Sequence, residues 1–225
     1  MLLQVNKEDE YLYQGKRKRL VEQLKEKGIV SKYVLNAILK IPRHLFFDQS
    51  TERPALLDHA YSDKALKIGA GQTISHPFTV AFQTEKLNIT KGDKILEIGT
   101  GCGYQTAVLL ELGAKVFSIE RQKELYDKTK VFLPLLGYKG AKLVYGDGYK
   151  GLPQFAPFDK IIVTAAAPYI PEDLLAQLTI GGILVIPLGE GEEQVMNLIT
   201  KKSGTEFEKQ AFGKFKFVPM LQNKN

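Results

Sequence analysis

KILEIGTGCGYQ, residues 94–105, decides the fold. Its first five residues are an apolar run short enough for a buried strand, and GTGCG is a glycine turn after it. The following YQTAVLLEL is a helix that stops at Gly113. Outward from this unit the alternation repeats. KVFSI is a second strand ending in Glu120, and a helix from about Gln122 to Leu136 is closed by Pro134 and Gly137. KLVY, KIIVTA and ILVIP are further strands, the last two separated by the helix PEDLLAQL. Strands alternating with helices build βαβ units, so the spacing predicts an α/β fold, a mainly parallel sheet with helices on both faces. From Leu188 the tail changes to turns and short alternations such as Lys214-Phe215-Lys216-Phe217, which predicts antiparallel C-terminal edge strands.

Upstream, the first sixty residues read as helical. Leu20, Val21 and Leu24 form one stripe in KRKRLVEQLKEKG, with Gly28 as its stop. Ser31 is placed to cap a second helix carrying Val34, Leu35, Ile38 and Leu39. The chain is thus expected to be one domain, with a helical N-terminal addition over 1–60 and a cofactor-binding α/β core over 61–225. Lys16–Arg19, the densest basic patch, reads as a solvated helix face, because no aromatic residue interleaves it for stacking on bases.

The glycine turn selects among ligands. Gly99, Gly101 and Gly103 alternate, whereas a dinucleotide fingerprint needs its third glycine at 104, where Tyr104 stands. No GK[ST] sequence provides a phosphate-gripping loop. Glu120, at the end of the second strand, is a bare acceptor suited to a ribose diol. Glu97 on the first strand would repel phosphates and welcome a cation. Asp147, between Gly146 and Gly148, suits either an adenine amino group or the pinning of its own turn. Carboxylates around a glycine loop fit S-adenosylmethionine, a sulfonium without phosphates, better than NAD. The fold expected is therefore a Rossmann-like S-adenosylmethionine-dependent methyltransferase.

Composition narrows the remainder. The 225 residues carry 31 Lys and Arg against 25 Asp and Glu, a net charge of +6, and the 44% hydrophobic content suits a globular chain. One cysteine, Cys102, excludes an intrachain disulfide and a thiolate zinc site. His44, His59 and His76 are too irregularly spaced for a helical metal pair, so no metal is expected. The N-terminal residues turn acidic without a signal peptide's apolar core, and no run is long enough to cross a bilayer. The compartment expected is the cytoplasm.

Beyond these features, IPRHLFF (41–47), AYSDKALKIGAGQTISHP (60–77), KILEIGTGCGYQTAVL (94–109), GDGYKGLP (146–153), APFDKIIVTAAAPYIPEDLLAQL (156–178), GGILVIPLG (181–189) and FVPM (217–220) closely resemble the protein-L-isoaspartate O-methyltransferase family. The order and spacing match from about residue 15 to 220, and GQTIS and VTAAAPYIP are the most specific segments. The resemblance implies methylation of the free carboxylate of L-isoaspartyl residues, which arise when Asn or Asp side chains cyclise and reopen wrongly. The ester then collapses to a succinimide that can hydrolyse to aspartate. It also implies that Ser75 is the active-site serine and that Gln72, Thr73 and Ile74 adjoin cofactor and substrate. Glu97, Gly99, Gly101, Gly103, Glu120, Arg121, Asp147 and Gly148 match cofactor-contacting positions. Substrates would be isoaspartyl proteins and peptides, with no nucleic acid or membrane partner and a monomeric enzyme. This chain has His76 where the family often has Gln, and Cys102 where it commonly has Ser; beyond Met220 the match ends.

The chemistry sets Ser75's role. A carboxylate is ionised at neutral pH and needs no general base, so a hydroxyl donor orients it rather than attacking anything. No G-x-S-x-G elbow surrounds Ser75. Two alternatives stay open at this level: a methyltransferase of RNA or a small molecule, and a non-catalytic protein that keeps the cofactor fold. No [ND]PP[YF]-like amine-methylating motif follows the fourth strand, where VTAAAP stands instead.

Overall fold

An inner strand of the sheet carries its apolar side chains, and Glu97, out of solvent on both faces. This strand, β3 (Lys94–Ile98), pairs in parallel with β4 (Lys115–Glu120) on one side and β6 (Phe158–Val163) on the other. In the computed structural model, which describes residues 7–47 and 57–225, seven strands are ordered β5-β4-β3-β6-β7-β8-β9. Here β5 spans Lys142–Tyr145, β7 Leu178–Leu188, β8 Gln194–Lys201 and β9 Phe207–Phe215. Strands β5 to β7 run parallel, and β8 and β9 complete the edge antiparallel. The strand order reverses direction between β3 and β6, and in such sheets a crevice opens there beyond the carboxyl ends of the strands.

Ahead of the sheet come α1 (Lys7–Glu26), α2 (Lys32–Lys40), a hairpin β1 (Leu66–Gly69) and β2 (Gln72–Ile74), and α3 (Pro77–Leu87). Helices α4 (Tyr104–Glu111), α5 (Lys123–Leu135) and α6 (Glu172–Ala176) follow β3, β4 and β6. The Ser31 hydroxyl caps α2 by accepting from the Val34 N–H. Glu85 on α3 accepts from the N–H groups of Val30 and Ser31 at 2.8 and 2.6 Å, which joins the α1–α2 turn to the core. Leu20 and Leu24 are buried in the same cluster as Tyr104 and Val108 of α4. Portions of the helical addition expected over 1–60, namely 1–6 and 48–56, lie outside the described residues.

The basic run 16–19 departs from a solvated face. Lys18 and Arg19 are exposed, but Arg17 is 9% exposed, and it lies on the inward stripe with Leu20, Val21 and Leu24. Helical spacing of 17, 20, 21 and 24 explains this, since the long stem buries with its apolar neighbours. Pro77 at the first position of α3 suits a helix start, because its missing N–H would have been unpaired there.

Because α1 shares one core with α4, truncating Leu24 to Ala is expected to cost about 2–5 kcal/mol. Calorimetry should show the variant unfolding at lower temperature in a single transition; two transitions would mark the N-terminal helices as a separate unit.

Candidate active site

The loop between β3 and α4 is held from three neighbouring elements. The Gly101 N–H donates to the Glu120 carboxylate at the end of β4 at 2.8 Å. The Gly101 carbonyl accepts from the Thr129 hydroxyl on α5 at 2.6 Å. The Thr164 hydroxyl, just beyond β6, lies within hydrogen-bonding distance of the carbonyls of Ile98 and Gly99. Two glycines have no substitute here. Gly99 adopts φ +96°, and a Cβ on it would strike Thr164 Oγ1; Gly103 adopts φ +84°, with Thr129 and Leu133 side-chain atoms 2.9 and 3.1 Å from a built Cβ.

Below this loop lies a cleft at the carboxyl ends of the strands. Gln72, Thr73, Gly99, Gly101, Glu120, Arg121 and Gly148 line it. Ile74, Gly103, Asp147, Glu97 and Ser75 do not. Ile74 is buried in the core cluster beside Ile68. Gly103 opens α4. Asp147 caps a one-turn helix by accepting from the Tyr149 N–H at 2.9 Å, and its other oxygen accepts from the Asn223 N–H at 2.9 Å. The turn-pinning reading of Asp147 thus describes its contacts. Sequence reasoning passed over Thr164 and Leu221, both on the cleft wall. Val218, Pro219 and Met220 complete that wall, with the Ala166 N–H donating to the Val218 carbonyl and the Met220 N–H to the Ala166 carbonyl.

The two carboxylates differ in kind. Glu120 is buried but engaged, accepting from the Gly101 and Gln122 N–H groups, and its remaining lone pairs are free for a diol. Glu97 is 0% exposed; one oxygen accepts from the Thr106 hydroxyl at 2.5 Å, and the other has no partner. Burial pushes its carboxyl up to about 8, opposed chiefly by the Thr106 hydrogen bond. Glu97 therefore acts from beneath the loop, not on its open face.

Ser75 follows β2 at the edge of this region. It is half-buried, and among the described residues its hydroxyl makes no hydrogen bond within the chain. His76, the N-cap of α3, is held below its ordinary value by burial and by the Arg43 and Lys27 charges, against an opposing pull from Asp63. It is therefore neutral at pH 7. Among the described residues no cluster of three or more His, Cys, Asp or Glu is arranged to hold a metal, and no helix is long and apolar enough to cross a membrane. Burial pushes the Cys102 thiol up to about 11, so a thiolate is disfavoured.

Comparison with known proteins identifies the family. The sequence model of the family described as Protein-L-isoaspartate(D-aspartate) O-methyltransferase matches residues 15–225. The chain is 61% identical over 217 residues to the protein-L-isoaspartate O-methyltransferase of Christiangramia forsetii, covering 96% of this chain and 99% of that one. To that of Dictyoglomus thermophilum it is 50% identical over 208 residues, 92% of each. A solved protein-L-isoaspartate O-methyltransferase superposes with a TM-score of 0.81 at 30% identity; the match covers 92% of this chain and 66% of that longer one. A Plasmodium falciparum structure described as such a methyltransferase, in complex with S-adenosyl-L-homocysteine, gives a TM-score of 0.78 at 28% identity, covering 92% of this chain and 99% of that one.

Two expectations follow from the carboxylates. Glu120→Gln keeps the volume but loses a charged acceptor, so S-adenosylhomocysteine affinity should fall by about 1.5–3 kcal/mol, roughly tenfold to a hundredfold, by titration calorimetry. For Glu97, the folded state holds a proton that the unfolded state, at an ordinary 4.5, has released. Stability of the ligand-free protein should therefore fall as pH rises from about 4.5 to about 8, and Glu97→Gln should flatten that fall in urea titrations at the two ends.

Proposed function

The chain belongs to the protein-L-isoaspartate O-methyltransferase family and transfers a methyl group from S-adenosyl-L-methionine to the free carboxylate of L-isoaspartyl residues; from that premise we propose how its own residues divide the work. Glu120 and the backbone of Gly99 and Gly101 hold the cofactor, with Arg121 and Gly148 on the adjoining wall. Asp147, Gly103 and Ile74 shape that wall from outside the cleft, and Glu97 fixes the underside of the loop through Thr106. The fit rests on two observations: a glycine loop that presents Gly99 and Gly101 to the cleft without side chains, and the Glu120 carboxylate on the same wall with unused lone pairs. The bound cofactor supplies an activated methyl group and needs no metal to do so.

The observation that carries the substrate assignment is the continuity of one strand. Gln72 and Thr73 line the cleft with Glu120, and Ser75 lies two residues past Thr73 on the same chain segment. A substrate carboxylate held by the Ser75 hydroxyl is thereby placed beside the cofactor. That carboxylate is already ionised, so no residue has to remove a proton. What the chain contributes is alignment and the exclusion of water, an effect on the order of 7 kcal/mol or more when reacting atoms are well placed. Ser75 therefore orients and does not attack. His76, neutral at pH 7, adds no competing charge.

We further propose that the enzyme acts as a monomer in the cytoplasm, on isoaspartyl proteins and peptides alone. The half-buried hairpin leaves the Ser75 segment open to varied damaged chains, and the lone, half-buried free thiol suits a reducing compartment. Arg17, turned inward from the basic run, leaves that run a weak footprint for nucleic acid.

Paired peptides differing only in isoaspartate against aspartate test the reading. With labelled S-adenosylmethionine, base-labile methyl ester should form on the isoaspartyl peptide alone. Ser75→Ala should lower kcat/KM about tenfold to a hundredfold, the loss of a hydrogen bond to a charged group, with S-adenosylhomocysteine affinity nearly unchanged. A collapse of cofactor affinity in that variant would move Ser75 to the cofactor site.

A further inference from the structure

Arg43 opens a short 3-10 turn (Arg43–Phe46) after Pro42 and is 1% exposed. Its Nε donates to the Ala60 carbonyl at 3.0 Å, and its Nη2 donates to the Ser75 carbonyl at 2.7 Å. The guanidinium carbon lies 4.7 Å from the ring centre of Tyr104, the first residue of α4 after the glycine loop. Nη1 has no acceptor, and among the described residues no carboxylate pairs with Arg43. One buried cation thus touches the segment before the hairpin, the Ser75 segment and the cofactor helix at once.

A buried guanidinium without a counter-ion costs several kcal/mol. Tethering two carbonyls needs only a neutral donor, so tethering alone gives no reason to bury a charge. The carbonyl of Ser75 belongs to the same peptide unit as the His76 N–H. A charge-assisted bond to that oxygen polarises the unit and makes its N–H side more attractive to an anion. The reaction brings an anion, the isoaspartyl carboxylate, to this same segment.

We propose that Arg43 is a positioning residue for the substrate: its buried charge, applied through the Ser75 carbonyl, fixes the Ser75 segment and supplies the positive potential that holds the isoaspartyl carboxylate. The inference rests on the assignment of Ser75 to that carboxylate. Arg43 touches neither substrate nor cofactor itself and takes no proton.

Arg43→Gln and Arg43→Lys separate charge from scaffolding. Arg43→Gln should raise KM for the isoaspartyl peptide by about tenfold or more, with S-adenosylhomocysteine affinity within about twofold of the parent. Arg43→Lys, which keeps the charge on a different donor geometry, should recover a clear part of that loss. An unchanged KM in Arg43→Gln, or an Arg43→Lys no better than Arg43→Gln, would overturn the proposal and leave Arg43 a scaffold. Should Arg43→Gln fail to fold, the parent protein labelled in its arginine guanidinium groups answers instead. The Arg43 resonance, identified by its loss in Arg43→Lys, should move when isoaspartyl peptide joins the S-adenosylhomocysteine complex and stay with the aspartyl peptide; no movement would overturn the idea. Full activity in Ser75→Ala would remove the underlying assignment instead, whatever the Arg43 variants do.

Discussion

The hydrogen bond from the Gly101 N–H to Glu120 is the contact on which the rest of the site depends. It fastens a loop that leaves β3 to the end of β4, across the neighbouring strand. Without a side chain at Gly99 the loop can lie against Thr164, and the Thr129 hydroxyl holds it from α5. Three elements that are distant in sequence therefore converge on a few backbone atoms. The cleft beneath them is a consequence of that convergence, because a loop pinned so low leaves the strand ends uncovered.

The sheet was legible in the sequence because its inner parallel strands β3, β4 and β6 are largely buried and so appear as short apolar runs. KILEI, KVFSI and KIIV all have this form, and the turn residues between them are equally plain. Ser31 and Gly28 were readable as helix punctuation for the same reason. The hairpin of β1 and β2 was not, since LKIG and QTI are too short for alternation to register and the turn between them puts even Ala70 at positive φ. Helix α3 escaped notice because both of its faces are covered, so its apolar and polar residues show little periodicity.

The site was legible in part, and the failures have a common cause. Gly99, Gly101 and Glu120 belong to a local pattern whose spacing carries its meaning. Thr164 and Leu221 join the cleft only through sheet order and the path of the C-terminal segment, which no spacing encodes. Arg17 and Arg43 mislead for the opposite reason. Their composition says surface, yet one lies along an apolar stripe and the other beneath the Ser75 segment. Together with Glu97, they are buried ionisable groups that a fold optimised for stability alone would replace with apolar residues.

On the proposed division of labour, Gln72 and Thr73 on the cofactor cleft and Ser75 two residues later make the two ligands share a mechanical part. A segment that short moves as one piece, so whatever cofactor does to its front end is felt at its far end. Thermodynamic linkage then requires reciprocity: the factor by which cofactor strengthens the hold on an isoaspartyl chain equals the factor by which that chain strengthens the hold on cofactor. The turnover cycle inherits a direction from this coupling. Once the methyl group has moved, the carboxylate is a neutral ester and its grip on the segment is lost. On that reading the event that frees the methylated chain also loosens the hold on the spent cofactor, and repair proceeds through the succinimide after release.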